Sequence, residues 1–133
     1  MRIQAKFPLA LLVAASTSAA VLAAEPSLSA KIEVEQLLTR LAVSGCQFQR
    51  NGTWHSATDA RAHLERKYQY LLDKQLLSTA EDFVSLAATK SSASGELYLV
   101  KCGAQEQLPS ATWMATQLKE VRTAKRDAHS KTN

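Results

Sequence analysis

A chain of 133 residues, 46% hydrophobic and 21% charged, suits one compact globular domain and is too short for two. Its net charge of +4 does not mark a nucleic-acid binder. Loss of a leading segment carrying Arg2 and Lys6 would take +4 to +2, and +3 of the charge lies in the run from Lys119 to Lys131, which leaves about −1 on residues 25–118.

The chain opens with a short basic stretch, Met1 to Lys6, then an apolar, alanine-rich run from Phe7 to Leu22, then polar sequence from Glu25-Pro26. This is the layout of a secretory signal peptide over residues 1–24, with small residues before a cleavage point after Ala23 or Ala24. Ser16, Thr17 and Ser18 interrupt the apolar core, which is shorter than the roughly 20 apolar residues of a spanning helix. We therefore expect an exported protein, periplasmic or secreted, with no integral membrane span after processing. No cysteine stands at the cleavage point, which argues against a lipid anchor.

Ser27 to Ser44 reads as a helix, with Leu28, Ile32, Glu35, Leu38, Leu41 and Ala42 near one face, Val34 and Leu37 widening it, and Gly45 as the stop. Cys46 to Arg50 alternates as a strand does, Asn51-Gly52 is a type I′ hairpin signal, and Thr53 to His55 forms the return strand. Ser56 to Asp59 caps a second helix that ends near Lys74. A second capping box, Ser78 to Glu81, opens a short helix through Ala87, followed by the serine-rich loop Lys90 to Gly95. Glu96 to Cys102 is the clearest strand, and Gly103 to Pro109 reads as a loop. Ser110 caps a last helix carrying Trp113, Met114, Leu118 and Val121. From residue 123 the apolar pattern stops, so 25–122 is the expected domain and 123–133 a basic, disordered tail.

The predicted order αββααβα gives an α+β domain, a small three-stranded antiparallel sheet with helices packed on it. Cys46 and Cys102 are an even pair in an exported chain, which favours a disulfide closing 56 residues; two buried free thiols are the alternative. There is no CxxC and no His/Cys cluster at zinc spacing, so neither a metal nor a cofactor is expected.

Four features carry polar groups that core packing explains least. Arg50 and Asn51 stand at the hairpin tip; His63 and Lys67, four residues apart, share a helix face with Arg66 beside them. Ser91, Ser92 and Ser94 crowd the loop before Gly95, and the fourth feature is the basic tail. Each has a plain structural reading: a well-formed turn, a partly buried histidine, hydroxyls serving a helix end, a solvated charge run. If the sheet brings the hairpin beside the last strand, Arg50, His63, Lys67 and the serine loop would line one cleft suited to a carboxylate or phosphate.

Taken in order, Ser44-Gly-Cys46-x-Phe48-x-Arg50-Asn-Gly52, Ala60-x-x-His63-Leu64-x-x-Lys67-Tyr68, Ala80-Glu-Asp-Phe83, Ser91-Ser-x-Ser94-Gly95-x-x-Tyr98 and Trp113 resemble the YfeK-like family of small exported bacterial proteins. The resemblance covers about Lys31 to Arg122 and implies an envelope protein of a Gram-negative-type bacterium, with no assigned activity or cofactor. The leading functional expectation is a non-catalytic binding or interaction module of the cell envelope, its partner an envelope protein or an anionic envelope ligand. The competing expectation is a small hydrolase using a serine of residues 91–94 with His63 as base.

Overall fold

The computed structural model describes residues 25–132; the expected signal segment lies outside the described residues. The element order is α1 (Leu28–Val43), β1 (Gln47–Arg50), β2 (Thr53–His55), α2 (Ala57–Asp73), α3 (Ala80–Ala87), β3 (Leu99–Lys101), β4 (Leu108–Pro109) and α4 (Ser110–Ser130). It is an α+β fold in which four helices accompany one antiparallel sheet of order β2-β1-β3-β4. The sheet has four strands where three are expected. Leu108 and Pro109 pair with Val100 and Leu99, turning the end of the expected loop into an edge strand. Proline is tolerated there because an edge residue can point its missing donor away from the ladder.

Turn chemistry follows the sequence closely. Asn51 (φ 50°) and Gly52 (φ 78°) take the paired positive φ values that close β1 on β2, with Arg50 opposite Thr53. Gly45 (φ 68°) ends α1, whose Ser44 hydroxyl donates to the Leu41 carbonyl. At the end of α2 no glycine is available, and Gln75 adopts φ 56° instead. The Leu76 and Gln75 amides then donate to the Leu71 and Leu72 carbonyls, which is a Schellman closure.

Four local expectations shift. The cap of α3 is Thr79, not Ser78: its hydroxyl accepts from the Asp82 amide while the Asp82 carboxylate accepts from the Thr79 and Ser78 amides. Ser110 is the first residue of α4 rather than its cap; Pro109 holds that position and offers no side-chain bond. α4 continues to Ser130, where the sequence reading expects a disordered tail from 123, because nothing after Thr123 is a helix breaker even though the apolar stripe has ended. The buried stripe of α1 is Ala30, Val34, Leu37, Leu38 and Leu41, while Leu28 and Ile32 stay exposed.

The core lies between the helices and one face of the sheet. Val34, Leu37, Leu38 and Leu41 of α1, Leu77, Phe83 of α3 and Met114 of α4 are fully buried. Each such leucine or phenylalanine contributes about 1.5–3 kcal/mol relative to exposure. Phe48 packs edge-on against Trp113 at 5.6 Å, and Tyr68 against Phe83 at 5.7 Å. Arg122 of α4 bonds Glu33 of α1 and Glu81 of α3, tying three helices together at the surface.

The ladder between β1 and β3 pairs Gln47 with Lys101, Phe48 with Val100 and Gln49 with Leu99. Continued by one residue, this register sets Cys46 opposite Cys102, and the two form a disulfide with Cα atoms 4.3 Å apart. Continued the other way it sets Arg50 opposite Tyr98. Residues 46, 48 and 50, and 98, 100 and 102, all fall on the helix-facing side. The register that closes the disulfide thus also aims Arg50 and Tyr98 at α2.

Candidate functional site

α2 carries its apolar stripe on Leu64, Tyr68 and Leu71, and His63 and Lys67 stand on the flank of that stripe one turn apart. The flank faces the end of the β1–β3 ladder, so His63 enters between Arg50 and Tyr98. The Arg50 Nη1 donates to His63 Nδ1 at 2.7 Å. A guanidinium has no acceptor, so Nδ1 must be the bare nitrogen and Nε2 carries the proton, which it donates to the Tyr98 hydroxyl at 3.0 Å. The two rings meet edge-on at 5.9 Å. Lys67 Nζ donates to the same hydroxyl at 3.3 Å and to the Lys90 carbonyl at 3.0 Å, 5.0 Å from the centre of the Tyr98 ring.

Electrostatics agree with that tautomer. Burial and the neighbouring charges of Arg50, Lys67, Arg66 and His55 hold His63 down at about 4, so it is neutral at physiological pH. Burial, then Arg50, lowers Lys67; burial raises Tyr98, with Arg50 partly offsetting it. Among the described residues the ion pairs belong to Arg40, Arg61 and Arg122. Arg50, Arg66 and Lys67 therefore present three positive charges around His63 with no carboxylate paired to them.

Two concavities flank His63. One, about 270 Å³, lies between β1 and α2; Phe48, Leu64 and Tyr98 give it apolar walls, with Arg50, Arg66, His55 and Asp59 also lining it. The other, about 280 Å³, lies beyond α2 and is lined by His63, Arg66, Lys67, Tyr70, Leu86 and Ser92.

The serine loop sorts itself by role. Lys90 bridges to Leu97, making residues 91–96 the tip of a small hairpin. Ser91 is buried, and its hydroxyl accepts from the Ala93 and Ser94 amides. Ser94 donates to the Asn51 Oδ1 at 2.5 Å, locking this tip to the β1–β2 turn. Only Ser92 faces a concavity shared with His63 and Lys67, and it makes no hydrogen bond to either. At the end of α3 the Val84 carbonyl accepts from the Ala88 amide and the Thr89 hydroxyl, so the side chain bonded there is a threonine's and not one of the serines expected to serve the helix end. Arg50, His63 and Lys67 thus converge, Ser92 stands beside them, and Asn51, Ser91 and Ser94 shape the scaffold.

Two residues the motif reading left out of the site stand in it. Tyr98 is legible by alternation, two residues before Val100 on a strand facing the helices. Ser110 reads as a helix cap in the sequence, but only 2% of its surface is exposed, and it lines the β1–α2 concavity.

Fold and cleft together define a small, disulfide-closed α+β domain whose polar groups gather as an unpaired cationic cluster at one end of its sheet. Residues 28–122 match the model of a family of unknown function (DUF5329), and the chain belongs to that family. No curated protein and no solved structure matches the chain. Among the described residues no helix is long and apolar enough to cross a membrane, and no group of three or more His, Cys, Asp or Glu is placed to hold a metal ion.

Proposed function

We propose that this protein is a non-catalytic binding module of the bacterial cell envelope that takes an anionic ligand at the Arg50–His63–Lys67 cluster. The observation that carries this reading is the convergence of Arg50, Arg66 and Lys67 on two concavities with no carboxylate paired to them among the described residues. Bringing three like charges together costs free energy that an incoming anion recovers. An envelope location is supported by the leading segment's signal-peptide pattern and by the resemblance to the YfeK-like exported proteins.

Binding is favoured over hydrolysis because both ring nitrogens of His63 are engaged, by Arg50 and by Tyr98, and no serine of residues 91–94 is hydrogen-bonded to it. A general base needs its lone pair directed at the nucleophile, and the lone pair of this imidazole faces a guanidinium.

The test is an NMR titration of the purified protein with sodium acetate and with inorganic phosphate at low ionic strength. Shift changes should centre on Arg50, His63, Arg66 and Lys67. The double variant Arg50→Ala with Lys67→Ala should lose them while its melting temperature stays within a few degrees, since each substituted side chain is only half-buried. Shift changes spread over the basic end of α4 instead would end this reading.

A further inference from the structure

Ser110 begins α4 from within the domain. It is nine-tenths buried and more, and its hydroxyl has no hydrogen-bond partner among the described residues. Among the described residues every side-chain nitrogen or oxygen sealed from solvent has a partner, so the Ser110 oxygen is not sealed; the concavity it lines is its opening. Open to the cavity and bonded to no protein group, that hydroxyl is free to meet a hydrogen-bonding group held there. Its position at the first residue of a 21-residue helix, whose cap supplies no side-chain bond, adds the positive end of the helix dipole.

The rest of that cavity constrains what fits. Phe48, Leu64 and Tyr98 make apolar walls, so a fully hydrated inorganic ion would leave them uncovered. Arg50 and Arg66 supply two positive charges and Asp59 one negative, while His63 is neutral, so the balance suits a monoanion better than a dianion. A volume of about 270 Å³ falls just under the usual span for drug-sized ligands, which limits the occupant to a compact molecule.

We infer that the β1–α2 cavity takes a compact organic monocarboxylate that carries a hydroxyl on an apolar body, the carboxylate meeting Arg50 and Arg66 and the hydroxyl meeting Ser110. This rests on the anion-binding reading above and gives the Arg50–His63–Arg66 side of that cluster its ligand class. It also separates the two concavities: the cavity beyond α2, with Lys67 and Ser92, is not needed for this ligand.

Calorimetric and NMR titration of the purified protein with four probes tests it. The probes are 4-hydroxybenzoate, with both polar ends and a flat apolar body; benzoate, lacking the hydroxyl; phenol, lacking the charge; and inorganic phosphate, lacking the body. 4-Hydroxybenzoate should bind tightest, with benzoate about tenfold weaker, the factor expected of one hydrogen bond in a buried site. Ser110→Ala should remove that difference and leave benzoate affinity unchanged; Arg66→Gln, on an exposed side chain, should weaken both carboxylates alike and leave phenol unchanged. If phosphate perturbs the cluster but benzoate and 4-hydroxybenzoate bind no better than phosphate, or if Ser110→Ala leaves the tenfold gap in place, the ligand class is wrong while anion binding stands. If no anion perturbs Arg50, His63 or Arg66, both readings fall.

Discussion

His63 is held by a donor on one side and an acceptor on the other, and that arrangement works only for the neutral ring. Protonation would place an N–H against the Arg50 guanidinium, losing a hydrogen bond and adding repulsion. With the folded group at about 4 and the free imidazole at 6.5, the unfolded chain binds more protons between those values. The stabilisation from neutral His63 is therefore complete above about 6.5 and is lost as pH falls toward about 4. Glu81, lowered by its bond to Arg122, and Asp82, lowered by the Ser78 and Thr79 amides, lose their contributions only at still lower pH, below their ordinary values of 4.5 and 3.8. Urea midpoints measured from pH 7 to pH 4.5 should thus decline in the native protein and stay nearly flat in His63→Gln, which keeps a polar side chain without the titration. An NMR midpoint for His63 near 6.5 would contradict this account.

At the scale of elements, α3 shows how a short helix is made to hold a site it does not line with charge. Eight residues are too few for a helix to stand alone, so its start is fixed by the Thr79–Asp82 box and its apolar side by Phe83 and Ala87 in the core. Its last turn leads through Thr89 to Lys90, whose carbonyl anchors Lys67. Thr79→Ala removes one capping bond and should cost about 1 kcal/mol, whereas Asp82→Ala strips the acceptor from two amides and should cost more, about 1–2 kcal/mol. Urea denaturation of the two variants checks the ranking, and equal losses would mean that the carboxylate does not bridge both amides in solution.

At the scale of the whole molecule the disulfide is the one covalent tie across a sheet of very short strands. Strands of two to four residues are marginal by themselves, and here the bridge joins the two central ones just beyond their hydrogen-bonded pairs. Closing 56 residues of chain restricts the unfolded state by roughly 4 kcal/mol in the chain-entropy account, a large part of a small domain's stability. The double variant Cys46→Ser with Cys102→Ser should therefore unfold at markedly lower urea concentration than the native protein. Intact mass after alkylation without reductant should show no modified cysteine in the native form. Because the same register that pairs the cysteines sets Arg50 opposite Tyr98, the variant should also bind anions more weakly, even where it is still folded.

Much of this was already in the chain. Local geometry is dictated by a few residues whose backbone preferences act over three or four positions: Asn51-Gly52 for the hairpin, Gly45 for the end of α1, the 3.6-residue spacing of Leu64, Tyr68 and Leu71 for α2. The cysteine pair and the α+β class follow from composition and element order in the same way. Tertiary structure decided what needs two distant segments to meet. β4 exists only because β3 offers an unpaired edge, since Leu108-Pro109 has no strand signal of its own. The sequence reads Ser78 to Glu81 as the box that opens α3, whereas the folded helix starts one residue later and is capped by Thr79 with Asp82. Arg50, His63, Lys67 and Tyr98 could be named singly as polar or aromatic residues on strand and helix, but their hydrogen bonds join residues up to 35 positions apart and depend on the β1–β3 register. Ser110 shows the difference most plainly: a serine before a helix reads as a cap, and only the closed fold, with Pro109 drawn into the sheet, turns its hydroxyl toward a cavity.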